Sequence, residues 1–271
     1  MLSAAVLDRS LEGAVHQRAR LVFALVGPAR SGLSALQSSL QAHPQLACLG
    51  DVLSCSEAAR RQAHEAVFGP TQGEPEYCTA DTTLCVSPER YLDVFLFRPA
   101  TERFGFGCKL TYEQLTQLEL WDYLREQGRQ PGFCLIHVVR NPLATFLSWQ
   151  RAKEHGTWYC PADQKPPAYP PILSRAWTPA EVVHHVQQQE ANQVRAEQVC
   201  RDQLLVPYYR LCHNPKGVWR SVCQFLGVAA SPWRPAVRRM SGIRPLERIV
   251  LRSIADQDCT VRRCLEDPTL C

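Results

Sequence analysis

Short apolar runs alternate with amphipathic stretches along this chain, a pattern typical of α/β folds with parallel strands. The first run, at 21–26, reads Leu-Val-Phe-Ala-Leu-Val and predicts a buried strand, which a loop and then a helix over 33–42 follow. A His-Pro pair at 43–44 ends that helix, because the residue before a proline disfavours the helical conformation. Similar apolar runs predict further strands at 45–49, 104–110 and 134–139.

Helix-start signals follow the later strands. Thr111 is predicted to cap a helix that ends near Gly128, and Asn141-Pro142 supplies a cap and a proline at the first helical position. Thr178 and Glu181 are predicted to form a capping box, with Pro179 in the first turn, and to open a helix to about Arg201. The remaining elements are predicted as a strand at 204–208, a helix at 218–226 and a helical tail from about 246.

Six prolines interrupt the segment 159–179, so we predict a long surface loop or lid there rather than regular structure. The chain of 271 residues shows no internal repeat and is expected to form a single domain over 1–271, with a core at about 20–265. The predicted fold class is therefore α/β, with a P-loop-like central parallel sheet flanked by helices and a proline-rich lid loop.

Composition narrows the class of protein. The chain is 45% hydrophobic and 21% charged, which excludes disordered, collagen-like and coiled-coil proteins. Its net charge of +4 comes without a long basic block, so no nucleic-acid partner is expected. The longest apolar run, at 21–27, is far shorter than the roughly 18 residues that span a bilayer, and we expect neither a membrane partner nor a secretory signal. Thirteen scattered cysteines without a CxxC pair are expected to be reduced thiols, which favours a cytoplasmic location and no metal site.

The first chemical signal is the segment 27–34, Gly-Pro-Ala-Arg-Ser-Gly-Leu-Ser. It fits the phosphate-binding pattern G-x-x-x-x-G-K-[ST] except that Leu33 replaces the lysine. Backbone N–H groups and a helix N-terminus can still bind a phosphate, because they depend on glycine and geometry. A nucleoside-triphosphate enzyme uses that lysine on the β- and γ-phosphates, whereas here the nearby cation is Arg30. The alternative is a strand-to-helix turn that binds nothing.

A second signal follows the strand at 134–139. Arg140 lies at the carboxyl end of that strand, where ligands bind in open α/β sheets. Ser148 comes eight residues later, just over two helical turns, so it can return to the same side as the start of its helix. A guanidinium and a hydroxyl together suit a phosphate. The alternative is a solvated arginine and an ordinary serine on a helix face.

These segments resemble, in order along about 20–265, the sulfotransferases that use 3′-phosphoadenosine-5′-phosphosulfate (PAPS). Their loop pattern P-R-S-G-[TS]-[TS]-L-L is followed from 29 to 36, with Ala29 for the proline and Leu33 for one hydroxyl. His43-Pro44 and then Gly50-Asp51, where Gly-Glu is usual, are similar to the bacterial carbohydrate and small-molecule branch. The segments 138–142 and 146–148, Ala152 and the segment 156–158 resemble the 3′-phosphate segment of its trehalose-type and nodulation-factor-type members. The segments 206–211, 214–215 and 225–227 resemble the late strand of the family and the helix after it.

The resemblance implies transfer of a sulfuryl group from PAPS to a hydroxyl, or an amino or guanidinium nitrogen, of a sugar or small natural product. It implies adenosine 3′,5′-bisphosphate (PAP) as the product and no metal. It assigns the 3′-phosphate to Arg140 and Ser148, and catalytic roles to Arg30 and to Asp51, the latter as the base. The 5′-phosphosulfate is assigned to the loop residues Pro28, Ala29, Arg30, Ser31, Gly32, Leu33 and Ser34.

Several points stay open on sequence alone. Asp51 is one methylene shorter than the usual glutamate and can equally cap a helix, with His155 as the alternative base. Lys109 matches a lysine common in related sequences and faces either the sulfate or the surface. The lid aromatics Trp158, Tyr159, Tyr169 and Trp177 either favour a ring-shaped acceptor or pack the loop down.

Two other functions are compatible with parts of the pattern. A P-loop small-molecule kinase explains the loop but requires a lysine near position 33 and an acidic Mg²⁺ ligand. A catalytically inactive nucleotide-binding relative explains the departures at Ala29, Leu33 and Asp51 together. The expected partners are a small-molecule or carbohydrate acceptor, and the expected assembly is a monomer or homodimer.

Overall fold

The structure is a computed structural model that describes residues 21–50, 52–53, 88–89, 92–93, 104–156, 158, 177–234, 251–256 and 258–267. The predictions for Asp51 and for nearly all of the lid, 159–176, lie outside the described residues. The strands are β1 (Leu21–Gly27), β2 (Leu46–Leu49), β3 (Gly105–Thr111), β4 (Phe133–Val139) and β5 (Gln203–Pro207). They form one sheet in the order β2-β3-β1-β4-β5, and every pairing between them is parallel.

Helices connect the strands and cover both faces of the sheet. They are α1 (Leu33–Gln41), α2 (Tyr112–Gln117), α3 (Trp121–Gln127), α4 (Pro142–His155), α5 (Pro179–Glu197), α6 (Tyr208–His213), α7 (Pro215–Phe225) and α8 (Cys259–Glu266), and residues 251–255 are also helical. The predicted α/β fold, with a central parallel sheet flanked by helices, is therefore confirmed. In the described part of the chain, no helix combines the length and the apolar character that crossing a bilayer requires.

The apolar run of β1 is continuous because both of its faces are buried, as is usual in parallel sheets. Successive side chains of a strand point to opposite faces, so Ala24 and Val26 pack with α2, α3 and the end of α5. Phe23 and Leu25 point the other way and pack with α1 and α7. A third apolar cluster joins α4, α5, α8 and the helical residues 251–255.

The single helix predicted between Thr111 and Gly128 is in fact two helices, α2 and α3. Thr111 caps α2 as predicted, with Gln114 completing a capping box. The break lies at Glu119, which has a left-handed φ of 56°. The amide of Leu120 donates to the carbonyl of Leu115 at 2.8 Å, the bond that ends a helix in a Schellman motif. Glycine usually occupies the left-handed position of that motif, and its absence leaves no sequence signal for the break.

Other boundaries also differ from those predicted, most of them by one residue. Tyr208 is the first residue of α6 and not the end of β5. Helix α7 begins at Pro215 rather than at 218, because the Asn214 side chain accepts a hydrogen bond from the amide of Gly217 at 3.0 Å. Helix α5 ends at Glu197, four residues before the predicted end at Arg201.

Candidate functional site

The loop between β1 and α1 lies at the carboxyl end of a central strand. Two of its residues are left-handed, Arg30 with φ 70° and Gly32 with φ 88°. The amide of Ser31 donates to the carbonyl of Pro28 at 3.2 Å and closes the turn. Turns with left-handed residues direct successive N–H groups to one side, which is how backbone forms an anion-binding concavity. The loop has such left-handed residues at two positions, and its binding of a phosphate stays a prediction.

Close packing explains both glycines of this loop. A Cβ on Gly27 would collide with the carbonyl oxygen of Val138 on the neighbouring strand β4. A Cβ on Gly32 would lie 3.0 Å from the Tyr208 ring, at a φ that side chains rarely adopt. Between them, the Ser31 side chain is fully buried, and its Oγ has no hydrogen-bond partner among the described residues. An unsatisfied buried hydroxyl is costly, which is consistent with a ligand that completes it.

Arg30 connects the two segments that the sequence analysis singled out. Its Nε donates to Ser148 Oγ at 3.1 Å, although the two residues are 118 positions apart in the chain. An Nη1 of Arg140 donates to the backbone carbonyl of Arg30. The Arg140 guanidinium carbon also lies 4.1 Å from the centroid of the Tyr208 ring, a cation–π distance. Three of the predicted site residues therefore lie together.

Helix α4 begins where the sequence predicts. The Asn141 side chain accepts hydrogen bonds from the amides of Leu143 and Ala144, at 3.0 and 3.4 Å, and Pro142 is the first helical residue. Asn141 also donates to the carbonyl of Cys264 at 2.7 Å, which ties α8 to the start of α4. Ser148 lies on the same helix and is 8% exposed. Its hydroxyl is therefore presented to Arg30 from a well-anchored helix.

Lys109 is buried, so the alternative that it lies on the surface is wrong. It is 5% exposed on β3, and its Nζ lies 3.4 Å from Ser34 Oγ in the first turn of α1. Leu33, at the position of the missing lysine, is 4% exposed and packs in the core with α7. A lysine from the neighbouring strand thus puts positive charge beside the loop.

Glu113, in the first turn of α2, is a site residue that sequence reasoning missed. Its Oε2 accepts a hydrogen bond from the amide of Ala29 at 3.1 Å, and its Oε1 accepts one from Gln189 Nε2 at 2.9 Å. The only signal in the sequence is that it closely follows a strand end. An acid at that position is ordinarily read as a favourable charge near a helix N-terminus.

His137, a buried histidine three residues before Arg140, is not a candidate base. His137 lies on β4 and is fully buried, and its Nε2 is hydrogen-bonded to the hydroxyl of Tyr112. Burial lowers the pKa of His137 to about 4, so the ring is neutral near pH 7. His155, the alternative base, is the last residue of α4, two turns beyond Ser148.

A cavity of about 710 Å³ adjoins Arg140 on the side of β4 and β5. Its walls come from the ends of those strands and from α5 and α8, and include Arg140, Tyr208, Tyr209, Arg262 and Arg263. The volume is within the range of small-molecule sites, roughly 300–1,000 Å³. Lys109 and Glu113 lie on the opposite side of the loop, because β3 and β4 flank β1 in the sheet.

Comparisons with known proteins support the fold. No family model and no curated protein matches the sequence. The structure is similar to the sulfotransferase domain of the olefin synthase from Synechococcus PCC 7002, at 17% identity over 93% of this chain and 95% of that one, with a TM-score of 0.51. Two other similar structures are a sulfotransferase from Alicyclobacillus acidocaldarius (16% identity, 91% and 96% coverage, TM-score 0.49) and the sulfotransferase domain of the curacin biosynthetic pathway (14%, 92% and 97%, 0.48). At such low identity, the similarity is one of fold.

Proposed function

We propose that this protein is a sulfotransferase that transfers the sulfuryl group of PAPS to a hydroxyl or nitrogen of a sugar or small natural product. The observation that carries the proposal is the 3.1 Å contact between Arg30 Nε and Ser148 Oγ, with Arg140 donating to the Arg30 carbonyl. A loop suited to one phosphate thus lies beside a guanidinium and hydroxyl suited to another. A donor with phosphate groups on both the 3′ and 5′ positions of its ribose matches this pairing.

In this proposal the loop amides and Arg30 bind the 5′-phosphosulfate, and Arg140 with Ser148 binds the 3′-phosphate. The cavity beside Arg140 offers room for the nucleoside. Lys109 adds a positive charge on the other side of the loop, where the acceptor would approach. The similarity to sulfotransferase domains in fold supports the assignment without identifying the acceptor.

The reaction we propose is an in-line displacement at sulfur. The acceptor oxygen or nitrogen forms a bond to sulfur, the bond between sulfur and the 5′-phosphate oxygen breaks, and the acceptor proton passes to a base, for which we propose Asp51. Negative charge then grows on the departing phosphate of PAP. Loop N–H groups and the Arg30 guanidinium are suited to stabilising that charge, so the proposal requires no metal ion. The lid would exclude water, because hydrolysis of the donor competes with transfer.

The position of Leu33 favours this function over a kinase. A P-loop kinase holds the β- and γ-phosphates with a lysine at that position, whereas Leu33 points into the core. Lys109 reaches Ser34 from β3 instead. A catalytically inactive relative would keep the same donor site, so only turnover separates it from an active enzyme.

The test uses radiolabelled PAPS with a panel of sugars and of hydroxylated or guanidinium-bearing metabolites. We expect release of PAP that depends on the acceptor, and a rise in melting temperature with PAP that ATP and Mg²⁺ do not match, because ATP lacks the 3′-phosphate. Equal thermal shifts with the two ligands would contradict the donor assignment. Stabilisation by PAP without turnover would identify an inactive relative, and transfer of phosphate from ATP would identify a kinase.

A further inference from the structure

The backbone at Ala29 and Arg30 is held by two side chains that follow the neighbouring strands β3 and β4. On the β3 side, Glu113 accepts the hydrogen bond of the Ala29 amide at 3.1 Å. On the β4 side, Arg140 donates to the carbonyl of Arg30. Arg30 itself has a left-handed φ of 70°, a conformation that is unfavourable for a non-glycine residue and persists only when the surroundings hold it. Glu113 and Arg140 therefore both hold the backbone here.

Glu113 is itself held in place. Its second oxygen accepts a hydrogen bond from Gln189 Nε2 at 2.9 Å, and Gln189 is 4% exposed on α5. The chain of contacts from Gln189 through Glu113 to Ala29 therefore joins α5, α2 and the loop. A carboxylate next to an anion-binding loop repels a negatively charged donor. The Glu113 carboxylate must therefore offset this repulsion by another contribution, and its hydrogen bond with the Ala29 amide indicates that it holds the loop backbone.

We propose that Glu113 is a positioning residue that keeps the Ala29 amide, and with it the left-handed Arg30, in the conformation that directs the loop N–H groups at the donor phosphate. The proposal rests on the proposed function for the identity of the donor. It treats the carboxylate as a hydrogen-bond acceptor for the backbone and gives it no part in moving a proton.

Glu113→Gln and Glu113→Ala separate these roles. A glutamine oxygen can still accept the Ala29 hydrogen bond, and its amide then faces Gln189. Gln189 can respond by rotating its amide, because its Oε1 has no hydrogen-bond partner among the described residues and can then accept. Glu113→Gln therefore preserves the contacts and removes only the charge. Glu113→Ala removes both contacts.

The experiment measures hydrogen–deuterium exchange of the Ala29 amide by NMR in the ligand-free protein and PAP affinity by calorimetry. We expect the Ala29 amide to exchange at least about tenfold faster in Glu113→Ala, and PAP to bind about tenfold more weakly, because a hydrogen bond to a charged group is lost and the competent loop is less populated. Glu113→Gln should retain both values within about threefold of wild type. Glu126→Ala, an exposed glutamate on α3, is the matched control.

Other outcomes would overturn the proposal. Unchanged exchange and affinity in Glu113→Ala would mean that the carboxylate does not hold the loop. A large loss of kcat in Glu113→Gln at unchanged PAP affinity, with the acidic limb of the pH profile gone, would make Glu113 a proton acceptor. A fall in melting temperature with exchange raised throughout the sheet would make the role merely structural. Failure of wild-type protein to bind PAP would reject the proposed donor, whereas exchange at Ala29 would still decide whether Glu113 holds the loop.

Discussion

Replacing Arg140 by alanine tests the proposed donor site most directly, because this side chain is assigned two separate tasks. The structure shows one of them, the contacts of its guanidinium with the Arg30 carbonyl and the Tyr208 ring. The other is the proposed contact with the 3′-phosphate of PAP. Arg140→Ala removes both, whereas Arg140→Lys keeps the charge but loses the planar fork that stacks and donates at once.

The two tasks have different expected magnitudes. A charge-assisted hydrogen bond to phosphate is worth about 1.5–3 kcal/mol, so PAP should bind roughly 10- to 150-fold more weakly to Arg140→Ala. The lost cation–π contact and the lost hydrogen bond to the Arg30 carbonyl together contribute about 1–2 kcal/mol to folding. For a chain of this size, that corresponds to a fall in melting temperature of roughly 2–8 °C. The variant should therefore stay folded at the temperature of a binding assay.

Calorimetric titration with two ligands separates the tasks. PAP carries a 3′-phosphate, and adenosine 5′-monophosphate does not. We expect Arg140→Ala to weaken PAP binding much more than binding of the monophosphate, with Arg140→Lys between wild type and the alanine variant. The matched control is Arg129→Ala, which removes an exposed arginine from the turn between α3 and β4.

Two results would refute this reasoning. Unchanged PAP affinity in a folded Arg140→Ala protein would make Arg140 a residue that only supports the loop. Equal losses for PAP and the monophosphate would show that the substitution acts through the loop conformation rather than through the 3′-phosphate. Either result would remove Arg140 from the proposed donor site and leave its contacts with Arg30 and Tyr208 as its function.

Three further predictions concern other residues. Asp51→Asn should lower turnover by about 10²–10⁴-fold with little change in melting temperature or PAP affinity, whereas Asp51→Glu should retain activity. Near-normal turnover of Asp51→Asn would contradict the proposed base and make His155 the next residue to test. Burial lowers the pKa of both His137 and His185 to about 4, so the unfolded chain binds their protons first as pH falls. Each should cost about 3 kcal/mol of stability between roughly pH 6.5 and pH 4 in urea titrations, so His137→Gln should remove about half of that loss, and an unchanged pH dependence would contradict this source. Cys259 is exposed, whereas burial raises the pKa of Cys108 to about 12, so iodoacetamide should label Cys259 before Cys108 in peptide maps, and the reverse order would contradict the structure.

Much of the fold could be predicted from the sequence because its signals are local. The apolar runs of β1 and β4 indicate strands that are buried on both faces. Such burial is expected in a parallel sheet, because helices cover both of its faces. Thr111, Asn141 and Thr178 each mark a helix start, because a side-chain oxygen next to unpaired amides acts within three residues. Where the local signal was absent, as at Glu119, the predicted boundary was wrong.

The loop pattern also carried information about the candidate site. Glycines at 27 and 32 indicate a turn with unusual backbone geometry, and the structure has that turn, with a left-handed Arg30 between them. Sequence order along the chain also suggested that Arg140 and Ser148 act together, since two helical turns separate them. Neither motif, however, contains information about which other residues pack next to it in the folded chain.

Which side chains meet depends on the order of the strands in the sheet. The order β2-β3-β1-β4-β5 places β3 and β4 on either side of β1, so Lys109, Glu113 and Arg140 all reach one loop. Strand order depends on crossovers and on burial across a hundred residues, and no local period encodes it. For that reason the sequence alone was enough to predict most of the elements and the glycine turn between β1 and α1, whereas the buried lysine, the carboxylate on the Ala29 amide and the cavity beside Arg140 became visible only when the strands were set side by side.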